Sequence, residues 1–163
     1  MKNFHTVLRA LYDHLEANKL LNSVTAGDIT MIDWNKTTDY ALAHITLNSA
    51  SLGEFVDTFD CSVILMDLVD HTKIDNGYFA DTQGEGTDLL KGIDNYQYAI
   101  NEMLSVSKNL VDHLRRGDLY NNLFQLEGEP SVEFFKDRFE DEVAGVVVNF
   151  SVLVPSDSTI CER

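Results

Sequence analysis

Residues 55–69 read FVDTFDCSVILMDLV, and the spacing within them decides the fold. Phe59, Cys61, Val63 and Leu65 fall at every second position, so an extended strand places all four on one face. The centre, Val63-Ile64-Leu65-Met66, is apolar without interruption, which predicts a strand covered on both faces. Four other segments supply partners for it. Residues 40–48 (YALAHITLN) precede it across a short polar connection at 49–54. Residues 28–34 (DITMIDW) come before that, across 35–39, alternating Ile29, Met31 and Asp33 against Thr30, Ile32 and Trp34. Connections this short suit hairpins. Later in the chain, 131–139 and 143–154 are joined by an acidic turn at Glu140-Asp141-Glu142. In the last strand Val146, Val148, Phe150, Val152 and Val154 face one way, while Asn149 and Ser151 face the other.

Two segments switch to helical spacing. Phe4, Val7, Leu8, Leu11, Tyr12 and Leu15 recur at threes and fours, with Asn3 as N-cap and Asn22-Ser23 as the expected stop. Ile93, Tyr96, Ile100, Met103, Leu104, Ser107, Leu110, Val111 and Leu114 form a second stripe. Asp88 or Asp94 can cap its start. Arg115 and Arg116 sit at the negative end of its dipole, and Gly117 is placed to end it. A short helical turn is expected at 118–123. The order is therefore α-β-β-β-α-β-β: an α+β fold in a single domain over residues 1–163, with a mostly antiparallel sheet and two helices packed on one face. Residues 70–91 (DHTKIDNGYFADTQGEGTDLLK) form a long acidic loop without periodicity, and 155–163 (PSDSTICER) a polar C-terminal extension.

The composition fits one globular domain. A chain of 163 residues buries roughly 68–70% of its unfolded surface, so it needs neither disulfides nor a structural metal. Twelve basic against 27 acidic side chains leave a formal charge of −15. That excludes a basic footprint for nucleic-acid phosphates and disfavours an anionic membrane surface. Cys61 and Cys161 make no CxxC unit and are expected as reduced thiols. The first residues lack the apolar core of a signal peptide, and no segment approaches the ~20 apolar residues of a membrane span. The expected compartment is the cytoplasm, or a particle assembled there.

No catalytic constellation emerges. His5, His14, His44, His71 and His113 include no HxxxH or HxH pair, so each reads as a surface or satisfied histidine and not a zinc ligand. Asp67, Asp70 and His71 cluster at the end of the third strand, a composition able to hold a divalent ion; a solvated strand end is the simpler account. Gly84-Glu85-Gly86 lacks the lysine and third glycine of nucleotide loops, and Glu85 and Asp88 would repel phosphate. No GxSxG elbow is present. Trp34 at a hairpin tip suits either a partner anchor or a cap on the core edge. Arg115-Arg116 can grip an acidic neighbour, though complementing the helix dipole is the plainer role. No cofactor is expected.

Four stretches together carry a family resemblance: Leu42-Ala43-His44-Ile45; the run from Phe59 to Asp70; Leu114-Arg115-Arg116-Gly117-Asp118-Leu119-Tyr120; and the ending from Val154 to Cys161. In this combination the chain, over roughly residues 4 to 161, resembles small virion proteins of tailed bacteriophages, and its element order resembles the tail-terminator (tail-completion) fold. The resemblance implies a non-enzymatic structural protein in a homo-oligomeric ring, a hexamer first and a dodecamer second, at the head–tail junction or top of the tail. Its neighbours would be head-completion, portal or tail-tube proteins. It would reside in the virion after assembly in the host cytoplasm. The candidate contact residues are Trp34, Asp75, Tyr78, Phe79, Asp81, Glu85, Asp88, Arg115, Arg116, Ser156, Asp157 and Ile160, mostly in the acidic loop and the C-terminal extension, where mobile solvated segments are the alternative. Two other classes compete: an acidic DNA mimic that occupies a basic host protein, and a small metal-dependent hydrolase using Asp67, Asp70 and His71.

Overall fold

The computed structural model describes residues 4–28, 40–69, 96–117, 119, 124–136 and 143–156. Its elements run α1 (Phe4–Glu16), β1 (Ser23–Ala26), β2 (Leu42–Leu52), β3 (Val56–Leu68), α2 (Tyr96–Arg116), β4 (Gln125–Lys136) and β5 (Val143–Pro155). The strands form one sheet in the order β1-β2-β3-β5-β4. All neighbours are antiparallel except β1 and β2, which are parallel. The molecule is thus a single α+β domain of the expected element order.

The period-2 pattern of β3 and β5 produces the core. Register places Phe59 opposite Val152, Cys61 opposite Phe150, Val63 opposite Val148 and Leu65 opposite Val146. These eight residues lie on one face and are buried beneath the helices. α1 contributes Val7, Leu11 and Leu15; α2 contributes Met103, Val106, Leu110 and Leu114. Each trio or quartet follows the three-and-four spacing of an amphipathic helix. The opposite face of the sheet has a smaller cluster of Leu42, Met66, Phe135, Val143 and Val147, with Tyr40 and Ile64 beside it. The uninterrupted apolar run at the centre of β3 therefore serves two clusters, as its composition predicts.

Several boundaries differ from the sequence expectation. α1 ends at Glu16, short of Asn22-Ser23. Asn18 accounts for this: its side-chain oxygen accepts from Leu20 N–H at 3.0 Å, and its carbonyl accepts from Leu21 N–H at 3.2 Å. A local turn thereby replaces the helical ladder. Ser23 instead opens β1, at 23–26, so the first strand precedes the expected 28–34 segment. Of that segment only Asp28 is described, and it lies beyond the strand.

The expected connection at 49–54 is mostly strand, because β2 continues to Leu52 and the turn is confined to 53–55. β4 begins at Gln125, ahead of Ser131. Gly128 adopts a φ of 68° and the register shifts between Glu127 and Ser131. The bulge carries the strand past Pro130, which is tolerated at a sheet edge. Pro155, assigned from sequence to the C-terminal extension, is the last residue of β5 and pairs with Val56. The loop at 70–91, the acidic turn at 140–142, and the caps Asn3, Asp88 and Asp94 lie outside the described residues. Of the helical turn expected at 118–123, only Leu119 is described, and it is helical and buried.

Candidate functional site

Of the contact residues expected from sequence, Arg115, Arg116 and Ser156 are described. Both arginines are exposed in the last turn of α2. Gly117 N–H donates to His113 carbonyl at 3.0 Å and closes the helix there. A Cβ at Gly117 would come within 2.8 Å of both the His113 Cα and its ring, so a glycine is required. Ser156 follows β5, and its N–H donates to Phe55 carbonyl at 2.9 Å. α2 passes through Leu119 and Phe124 into the start of β4, whose Gln125 pairs with Leu153. The arginines and Ser156 therefore share one end of the sheet with the β2–β3 turn. Trp34, Asp75, Tyr78, Phe79, Asp81, Glu85, Asp88, Asp157 and Ile160 lie outside the described residues.

The arginines sit where the helix carbonyls are unsatisfied, so their charge stabilises α2 directly. Arg115→Ala and Arg116→Ala are each expected to lower stability by about 0.3–1 kcal/mol in low salt, with the loss shrinking as salt is added. Thermal denaturation across an ionic-strength series checks this. Unchanged melting at every salt concentration would remove the dipole role and leave partner contact as the account.

Of the ion-binding cluster expected at the end of β3, Asp67 is described, while Asp70 and His71 are not. The Asp67 carboxylate accepts from Leu68 N–H at 2.8 Å. Among the described residues, no group of three or more His, Cys, Asp or Glu side chains is arranged to hold a metal ion. Also among these residues, no helix is long and apolar enough to cross a membrane.

The structure assembles polar groups that lie far apart in the sequence. On the sheet face away from the helices, β3 runs between β2 and β5. Register sets Asp60 between Ser49 and Ser151, and Ser62 beside Asn149. The Ser151 hydroxyl donates to Asp60 Oδ1 at 2.6 Å, and the Ser49 hydroxyl donates to Asp60 Oδ2. These two bonds, with Ser151 the stronger influence, hold the Asp60 carboxyl below its ordinary range despite a smaller opposing effect of desolvation. Next to it, Asn48 Nδ2 donates to Ser62 Oγ at 2.6 Å, and that hydroxyl donates to Asn149 Oδ1 at 2.6 Å. The result is a half-buried polar ladder across three strands, adjoining the smaller apolar cluster.

Three further groups complete the electrostatic picture. Cys61, on the buried face, is a free thiol whose pKa is pushed up to about 12, chiefly by burial and also by the neighbouring Asp60 charge. It stays protonated and carries no nucleophilic chemistry. His44 is buried on β2 and joins it to β1: Nε2–H donates to Gly27 carbonyl at 3.1 Å, and Nδ1 accepts from the Thr25 hydroxyl at 2.8 Å. Desolvation dominates over the Gly27 bond and the Asp28 charge, and lowers its pKa. His14 of α1 and His113 of α2 stack with ring centroids 4.5 Å apart. Spacing along one helix separates His14 from every other histidine, so tertiary packing alone makes this pair.

Sequence patterning contained part of the ladder. Asn149 and Ser151 were already on the polar face of β5, and Asp60 and Ser62 alternate with Phe59 and Cys61. What it lacked was the register that joins them. No protein-family model matches the chain, and no match is found among curated proteins.

Proposed function

We propose that the chain is a structural virion protein of a tailed phage, forming a ring at the head–tail junction or top of the tail through which DNA passes. The observation that carries this is the element order α-β-β-β-α-β-β with both helices on one face of a five-stranded sheet. It agrees with the fold that the resemblance implies. Among the described residues, no helix packs on the other sheet face, which leaves it as a surface for docking. The charge supports the same role. Six copies at −15 each would give a ring whose lumen repels the phosphate backbone, letting DNA slide without adhering. Identical head-to-tail contacts close such a ring when the rotation per copy permits.

The test is electron microscopy of virions labelled with antibody to this chain, paired with negative-stain imaging of the purified protein. Label at the head–tail junction, and closed rings with a bore wide enough for duplex DNA, are expected. Virions without label would overturn the role. A single copy that binds a basic host protein tightly would favour the acidic DNA mimic in its place, since the same charge of −15 suits that class.

A further inference from the structure

The two edges of the sheet are built differently. The outer edge of β4 carries Glu127, Glu129, Glu133 and Lys136, together with Pro130 and a break in register. Charge, proline and bulges are what keep an edge from recruiting another strand. The outer edge of β2 is covered by β1 only from Leu42 to Ile45. There Gly27 N–H donates to Ile45 carbonyl at 3.0 Å, and the Thr46 hydroxyl donates to Gly27 carbonyl at 3.3 Å. β2 then bulges at Asn48 and continues in register, Ser49 to Leu52 opposite Asp60 to Asp57. Among the described residues no strand runs along the outer side of this stretch. Ser49, Ala50, Ser51 and Leu52 are all exposed, Leu52 at 79%. The adjoining turn exposes Phe55 at 75%.

Charge narrows the choice of partner. Residues 46–53 (TLNSASLG) contain no ionisable side chain, in a chain with 27 acidic groups. Two copies of net charge −15 repel each other over most of their surfaces. A neutral strand edge, uncovered from Ser49 to Leu52 among the described residues, is where they can approach.

We propose that residues 49–52 pair antiparallel with the same edge of a second copy, about a two-fold axis at Ala50. Ala50 of each copy then faces its equivalent, and Ser49 of one faces Ser51 of the other. The axis is perpendicular to the sheet, so the helices of both copies stay on one side, and the two polar ladders continue across the joint. The small side chains let the backbones reach the ~4.8 Å separation of paired strands. Leu52 of each copy flanks the Ala50 pair on the helix side, within diagonal reach. The two Asp60 side chains, beside the paired serines, are at least three strand spacings apart, about 14 Å. That exceeds the Debye length of ~8 Å at physiological ionic strength, so their repulsion is screened.

This contact is isologous, unlike the head-to-tail contact that closes a ring. It joins two copies, or two rings back to back, and holds independently of the virion role. So short a pairing gives a concentration-dependent association.

Cross-linking of A50C in a Cys161→Ser background tests the pairing, with E133C on the β4 edge as control. The buried, protonated Cys61 stays silent in this assay. Under diamide, A50C is expected to form a disulfide dimer at least tenfold faster than E133C. The double variant A50K/S51K is expected to weaken dimerisation at least tenfold by sedimentation, with its melting temperature within a few degrees of the parent. Equal cross-linking of the two cysteine variants, or sedimentation of the parent as one copy at millimolar concentration, overturns the pairing. Rings that form without A50C cross-linking would overturn this edge contact and leave the ring intact; A50C dimers absent from virions would do the reverse.

Discussion

Gly145→Ala is expected to destabilise the protein by about 3 kcal/mol or more, enough to take much of the stability of a domain this size. Gly145 lies in β5, between β3 and β4, and pairs with Met66 on one side and Phe135 on the other. A Cβ built there would overlap the Leu65 carbonyl oxygen and stand 2.8 Å from the Met66 Cα. Both obstacles are backbone atoms of the central strand, so no side-chain rotation relieves them. Overpacking a well-filled interior ordinarily costs 1–3 kcal/mol, and the rigidity of a ladder bonded on both sides puts this case at the top of that range. The strand would have to separate from β3 where Leu65 and Met66 serve the two apolar clusters. Urea denaturation measures the loss through the midpoint. A midpoint within experimental error of the parent would show that β3 and β5 can separate at this position without cost, and that the packing between them is looser than described.

How much of this was legible in sequence depends on the periodicity behind each element. β3 and β5 were placed within a residue or two, because each carries several buried apolar residues at strict alternation. α2 was equally plain, since its stripe recurs over five turns. β1 was not. Its four residues, Ser-Val-Thr-Ala, are too few for their alternation to stand out, and their strand conformation comes from pairing with residues 42–45. The early start of β4 was hidden for a different reason: Gly128 and Pro130 interrupt the alternation along the sequence, but at an edge they are accommodated in a bulge. The candidate surface was the least legible part. Arg115 and Arg116 were placed at the end of α2 because a helix end has a fixed chemistry. The Asp60 ladder and the His14–His113 stack depend on register and on helix packing, which no local window of sequence contains.

His44 shows how a residue dismissed from sequence as a satisfied histidine can still set a measurable property. Its two ring nitrogens span β1 and β2, with Thr25 on one and Gly27 on the other, and the ring is buried. Truncation by His44→Ala would leave the Gly27 carbonyl without its ring donor and open a cavity at the parallel joint, costing about 2–4 kcal/mol. The pH dependence follows from the lowered pKa. The neutral ring is the folded form, whereas in the unfolded chain it takes up a proton near the ordinary value of 6.5. Stability from this site is therefore complete above about pH 6.5. It falls as the pH drops through that value, because the unfolded state then binds a proton that the native site resists, and it levels off below the depressed native pKa. Asp60 adds a second acid loss, in a separate and lower range. Its native pKa lies below 3.8, so its share is present above that value and vanishes on further acidification. His44→Gln keeps a hydrogen-bonding side chain but removes the titration. Between pH 7.5 and 5.5 its unfolding free energy should decline less steeply than that of the parent, while the two curves should run parallel once the pH is below the native pKa of the ring. Identical slopes in the upper window would mean that the ring titrates in the folded protein as it does in water. Burial would then impose no penalty on its charged form, and the junction of β1 with β2 would have to be open to solvent.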